Sequence, residues 1–283
     1  MANTNTIYSD EAILVALLSK DFSGIGNEYE NDELETIRRN AFSGATLNRV
    51  ALPNLKTIPS GCFKNAKINT LDLNFDEITE VGREAFTSGG LSSRTSLSLP
   101  KCTKIGDGAF NINSSLSSIS LPLFNGDLTA DSLYAGSETG MFREDTALTG
   151  AGLNLPELKT ISAVMFRSCS SLDAPVFPKV TTMASGSFYG CSKLKKITFS
   201  GEVKTVTGSP FTSCPNLECV IFSGVTAVPT ATGNIFNSSG IATGKGYVYV
   251  PAALLDAFQS ANYWSTYRDV MRAIEDYPSV IGN

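Results

Sequence analysis

Residues 188–199 read Phe188-Tyr189-Gly190-Cys191-Ser192-Lys193-Leu194-Lys195-Lys196-Ile197-Thr198-Phe199. The end of the stretch, Ile197-Thr198-Phe199, alternates apolar and polar side chains, as a strand with one buried face does. The line Leu194-x-x-Ile197-x-Phe199 returns as Leu47-x-x-Val50-x-Leu52, Leu116-x-x-Ile119-x-Leu121 and Leu217-x-x-Val220-x-Phe222. Its leading phenylalanine returns as Phe42, Phe63, Phe86, Phe110, Phe142, Phe166, Phe188, Phe211 and Phe236, at spacings of 21, 23, 24, 32, 24, 22, 23 and 25. Five residues earlier stand Ile37, Ile58, Val81, Ile105, Ile161, Met183 and Val206, and three further back Leu34, Leu55, Ile78, Cys102, Leu158, Val180 and Val203. Prolines close several strand lines, at Pro53, Pro100, Pro122, Pro156 and Pro178. A proline has no N–H to donate, so it ends a ladder.

A unit of about 23 residues is too small to bury its own apolar face, and stacking units in register buries those faces in one continuous core. The expected fold is therefore a solenoid of about nine coils, made of short β-strands and turns, with a row of phenylalanines along its axis. Phe63, Phe86, Phe110, Phe166, Phe188 and Phe211 should lie buried in that row. Both ends depart from the repeat and are expected to be helical caps. Ser9 or Asp10 can N-cap a helix through Lys20 with Ile13, Leu14, Leu17 and Leu18 on one face. After Tyr247-Val248-Tyr249-Val250-Pro251, residues 252–260 and 263–275 carry a helical spacing of apolar residues that includes Leu255, Phe258, Trp264, Tyr267 and Met271. The expected division is a cap over 1–33, repeats over 34–250 and a helical cap over 251–283.

The register L-x-x-I-x-L-P, L-x-x-I and A-F-x-x-C-x-x-L resembles the BspA-like class of leucine-rich repeats. Ala41-Phe42, Ala85-Phe86 and Ala109-Phe110 carry its AF step, and 188–194 matches a whole segment. The resemblance spans residues 34–250. It implies a module of a bacterial surface protein, an adhesin or a protein of a phage, which binds protein or glycan and does no chemistry.

Composition points the same way by exclusion. Among 283 residues there is no histidine, so no Ser-His-Asp centre, no Cys-His centre and no HExxH zinc site can be built. Catalysis by carboxylates alone stays open, as in many glycosidases. Lys and Arg number 22 against 27 Asp and Glu, a net charge of −5, and no cluster of cations suits a nucleic acid. No apolar run approaches the ~20 residues of a membrane span. The opening MANTNTIYSDEA lacks the basic and apolar regions of a signal peptide.

Three of six cysteines, Cys169, Cys191 and Cys214, lie three residues after a spine phenylalanine. They form an inward ladder of small apolar thiols, and coil spacing would also permit a disulfide between neighbours. Cys219 falls on an outward strand position and is the candidate reactive thiol. No C-x-x-C pair exists, so neither a metal nor a cofactor is expected.

One interval, Phe110 to Phe142, is 32 residues long, and the extra residues lie within 125–140. Insertions in repeats map to loops on one face, often the binding face. Asp127, Asp131, Tyr134 and Glu138 there offer an aromatic with carboxylates, as a glycan site needs. Lys193, Lys195 and Lys196 offer a basic spot on an acidic chain. The expected partners are a protein or glycan on a cell surface, or neighbouring virion proteins, with no nucleic acid and no membrane insertion. Three functions compete: a receptor-binding or adhesion module on a phage particle or bacterial surface, a structural decoration protein of a virion, and a carboxylate-based glycosidase. Localisation follows as virion or cell surface.

Overall fold

A computed structural model describes residues 28–92, 94–129 and 140–281. The chain winds into a β-solenoid of about ten turns. Most turns lay one strand of two to seven residues on a long-strand side and one of two or three residues on the opposite side. The long-strand side runs Glu28–Glu30, Thr46–Leu52, Lys67–Leu73, then Ser96–Ser98, Ser118–Ser120, Leu153–Asn154, then Val176–Phe177, Lys196–Phe199, Cys219–Phe222, Tyr247–Val250 and Met271–Ala273. The other side carries Thr57–Ile58, Glu80–Val81, Lys104–Ile105, Thr160–Ile161, Thr182–Met183, Thr205–Thr207 and Thr230–Thr232. Every pairing is parallel and joins a coil to its neighbour, as in Ile197↔Val220 and Val206↔Ala231.

The apolar lines of neighbouring coils meet inside a single cluster that extends from Tyr29 to Met271. The six core phenylalanines expected from the repeat are all fully buried. Their rings stack nearly parallel from Phe42 to Phe236, with centroids 5.4 Å apart at Phe63–Phe86 and 5.3 Å at Phe166–Phe188. Such offset pairs each add ~0.5–1.5 kcal/mol beyond their buried area. The backbone fixes the register. The amide of each spine phenylalanine donates to the carbonyl just before the next one, from Phe63 to Ala85 at 2.7 Å and from Phe188 to Pro210 at 2.9 Å. Pro210 accepts there, but it lacks the N–H that Cys62, Ala85, Ala109, Met165 and Ser187 donate to the carbonyl three residues back, so its turn forgoes that bond.

The turns around the spine need left-handed backbone two residues before or after the phenylalanine. Glycine supplies it at Gly186 (φ 64°) and Gly190 (φ 71°). Most non-glycine cases are Asn, Ser or Glu, but Ile112 (φ 60°) and Val164 (φ 50°) are β-branched. Such side chains crowd the backbone in that region, a cost of ~1–2 kcal/mol each. Both flank the coil of Phe142, the one with the long insertion.

The ends differ from the expectation. Among the described residues parallel stacking is already present at Glu28–Glu30, whose Tyr29 pairs with Val50, ahead of residue 34. The helix expected over residues 9–20 lies outside the described residues. At the other end a short α-helix, Leu255–Ser260, is followed by a 3-10 segment, Ser265–Val270, so the helix expected over 263–275 does not form. Its last turn is instead the strand Met271–Ala273, in register with Val248–Val250. The reason is the open edge of the last coil, whose N–H and C=O groups need partners. Met271 and Ala273 are buried and Arg272 faces out, a strand alternation that the helical spacing hid. Trp264 closes the core edge-on to Phe222 at 5.5 Å, and its Nε1 donates to the Pro229 carbonyl at 2.8 Å.

Candidate functional site

The outward positions of the long-strand side fall into three zones, one on each of the three parallel sheets of that side. In the first, Arg49 bridges two coils, reaching Glu30 at 2.6 Å and Asp72 at 2.8 Å. Its cation is committed to those carboxylates. In the middle zone the outward residues are small and polar: Ser96 pairs with Ser118, and Ser98 and Ser120 lead to Asn154. Asn154 Nδ2 donates to Ser120 Oγ at 2.8 Å. The third zone is apolar and aromatic. Val176 is 59% exposed and starts a row that continues through Thr198, Ile221, Tyr249 and Arg272.

The end of the chain crosses this third zone. Ile274 and Val280 pack on Ile221, Tyr249 and Cys219, and Tyr277 meets Tyr249 ring to ring at 5.7 Å. Arg272 lies over the Tyr247 ring at 4.4 Å. Lys196 Nζ donates to the Val280 carbonyl at 2.7 Å, which ties the crossing segment to the sheet. A cleft of about 330 Å³ remains beside it, lined by Ser223, Pro251, Ile274, Glu275, Pro278 and Ile281. Cys219 does face outward, as its strand position implies, but burial under this segment pushes its thiol up to about 11. At neutral pH it is therefore a neutral, unreactive thiol.

Among the described residues, those singled out in the sequence do not gather in one place. Asp127 is exposed at the root of the insertion, where its N–H donates to Asn125 Oδ1 at 2.9 Å. It lies on the short-strand side, beside the bridge from Leu128 to Ile105. Asp131, Tyr134 and Glu138 lie outside the described residues. Lys196 belongs to the opposite, long-strand side. Lys195 stands in a row of alternating charge, its N–H bonded to the Asp173 carbonyl and its own carbonyl accepting from the Glu218 N–H. Lys193 is exposed and interacts electrostatically with Asp173. The aromatic outward row at Tyr247 and Tyr249 received no functional weight in the sequence, although the alternation Tyr247-Val248-Tyr249-Val250 signals it.

Inside, the third position after the spine phenylalanine is Ala45, Ala66 and Gly89 in the first three coils and forms a polar rail from Asn113 onward. Cys169, Cys191 and Cys214 donate their thiols to the carbonyls of Phe142, Phe166 and Phe188 at 2.9, 3.0 and 3.0 Å. All six cysteines are free. Burial raises the ladder thiols, Cys214 to about 12, so they stay protonated donors. Among the described residues no group of three or more His, Cys, Asp and Glu is arranged to hold a metal ion. No helix among them is long and apolar enough to cross a membrane.

Six copies of the BspA type leucine-rich repeat region match residues 28–136 and 140–243. The chain belongs to the BspA-type leucine-rich repeat family. Solved structures similar to this BspA-type chain include a leucine-rich repeat protein of T. pallidum, 22% identical, covering 77% of this chain and 88% of that one, with a TM-score of 0.46. A leucine-rich cell surface protein of Faecalibacterium prausnitzii A2-165 is 20% identical over 86% of this chain and 64% of its own, with a TM-score of 0.43. A leucine-rich repeat protein of Bacteroides ovatus ATCC 8483 is 18% identical over 87% of this chain and 83% of its own, with a TM-score of 0.28. No curated protein matches the chain.

Proposed function

We propose that this BspA-type chain is a non-enzymatic binding module displayed outside a bacterial cell or on a phage particle, where it recognises a protein or a glycan. The observation that carries the reading is the family membership itself, together with a long-strand side made of three successive parallel sheets. An outward row of repeats presents many weak contacts in a fixed line, which suits an extended ligand. The middle zone, from Ser96 to Asn154, offers hydroxyl and amide groups free of ion pairs. Val176 at its border adds exposed apolar area. The insertion root at Asp127 and the Lys193–Lys195 turn are separate, smaller candidate contacts.

Binding is tested with the full chain on a glycan array and on intact bacterial cells. The expected result is saturable binding that Ser118→Arg or Val176→Asp reduces at least tenfold while the fold is kept. Retained binding in both variants would move the ligand away from the long-strand face. Deletion of residues 127–138 then tests the insertion. Mass spectrometry of purified phage particles and of bacterial surface fractions distinguishes the two settings of display. Hydrolysis of any bound glycan would overturn the non-enzymatic reading.

A further inference from the structure

The polar rail contains one residue that does not match its neighbours. The third position after the spine phenylalanine holds Asn113, Asp145, Cys169, Cys191 and Cys214 in successive coils. Four of these five side chains donate a hydrogen to the spine carbonyl of the preceding coil. Asn113 Nδ2 donates to the Phe86 carbonyl at 3.1 Å, and the three thiols do the same in their own coils. Asp145 occupies the same position and is completely buried. Its Oδ1 accepts the Asn113 N–H at 2.7 Å, and its Oδ2 has no partner. Asn113 Oδ1 and Asn111 Oδ1, on the preceding coil, are buried acceptors without a donor as well.

A buried carboxylate there would add an uncompensated charge to a slot that is already short of donors. Burying an unpaired charge is so costly that the group neutralises instead. We propose that Asp145 is a neutral carboxylic acid in the folded protein, so that the coil of Phe142 is a proton-dependent joint in the solenoid.

The surroundings supply nothing that would hold the charged form. The preceding coil presents Asn111 and Asn113, which do not titrate, and its Asp107 is bound to the Gly140 N–H at 2.9 Å. The following coil presents Cys169, whose thiol is kept neutral by burial. On the same turn Arg143 is paired with Glu144 at 2.9 Å. Residues 130–139 contain no Lys or Arg. Burial accordingly drives the Asp145 carboxyl well above its ordinary 3.8, against the one N–H from Asn113.

The sign follows from linkage. A group whose proton is held more tightly when folded stabilises fully below its unfolded pKa, and that stability is lost as pH rises through the folded pKa. The joint should therefore be tightest in acid and loosen toward neutral and alkaline pH. The coils on either side of it carry strained backbone, at Ile112 and Val164.

The test uses the full chain. Amide hydrogen exchange of residues 140–150, corrected for intrinsic rates, should show the opening equilibrium rising by up to about tenfold per pH unit over part of the range above pH 4. Coils around Phe188 should show no such slope. Asp145→Asn keeps the shape and supplies a donor, and Asp145→Cys restores the residue used in the neighbouring coils; both should abolish the slope. Should the variants fail to fold, infrared spectroscopy of the unmodified chain decides, because a protonated carboxylic acid absorbs apart from carboxylates. A protonated band at neutral pH supports the proposal. Its absence overturns it, as would a flat exchange profile, or protection that appears only on adding a cation.

Discussion

The coils of Phe166, Phe188 and Phe211 and the coil of Phe142 are the same turn built with different chemistry. Both stack a phenylalanine on its neighbours, at 5.4 Å for Phe188–Phe211 and 5.7 Å for Phe110–Phe142. The first three place a thiol on the rail, each bonded to a carbonyl, whereas the Phe142 coil places Asp145 with an unpartnered oxygen. The first three follow intervals of 24, 22 and 23 residues, and the other follows one of 32. A solenoid tolerates such a coil because each repeat contacts only its neighbours, so a local defect need not spread.

The largest expected effect comes from removing a spine ring in the regular region. Phe188→Ala should cost ~3–5 kcal/mol, the usual price of emptying a packed aromatic site. Hydrogen exchange should then show fraying in the adjacent coils before the ends, and uniform loss along the chain would break the nearest-neighbour picture. Phe142→Ala sharpens the contrast, since its coil should open more widely than the Phe188 coil for the same ring removed. Denaturant unfolding of the two variants, followed by exchange, makes that comparison.

Smaller effects separate rail from backbone. Cys191→Ala removes the thiol bond to the Phe166 carbonyl and should cost about 1 kcal/mol in thermal unfolding. Val164→Gly should have the opposite sign. Glycine at φ 50° relieves a crowded β-branched side chain, so a gain of ~0.5–1 kcal/mol is expected, offset in part by backbone entropy. The same change at a regular turn whose left-handed residue is serine, Ser213→Gly, should stabilise less. Equal gains would show that the β-branched side chain of Val164 adds no strain beyond that of an ordinary left-handed residue.

The smallest effect reads the chain end. With its thiol at about 11 against an ordinary 9.0, Cys219 should react with a thiolate-directed reagent at pH 8 about a hundredfold more slowly than an exposed thiol. Lys196→Ala removes the bond to the Val280 carbonyl and also the cation that draws the Cys219 thiol down, so release of the segment is read as faster amide exchange over residues 274–280 rather than as faster thiol reaction. Unchanged exchange would mean that packing of Ile274 and Val280 alone keeps the segment in place.

Much of this architecture is readable residue by residue. The phenylalanine row, the inward cysteines and the alternating strand lines depend on side-chain direction within a few residues, which the sequence spacing expresses. The helix expected over 263–275 failed because Met271, Arg272 and Ala273 satisfy either period, and only the open strand edge beside them selects the extended form. The candidate site was less legible. Asp127 and Lys196 stand as separate candidate contacts in the sequence, and its spacing does not tell that they sit on opposite strand sides.

The period, the identity of the inward face and the family of the fold were therefore determined by the amino-acid sequence alone, because each coil repeats the same local pattern of turn and strand. Only the tertiary structure decided which polar groups find partners and which outward positions stay open. Those outcomes depend on contacts between residues twenty or more apart: Asp145 against Asn113, Lys196 against Val280, and Cys219 beneath the end of the chain. A repeat dictates its own shape, but the environment of a side chain is supplied by the coil next to it.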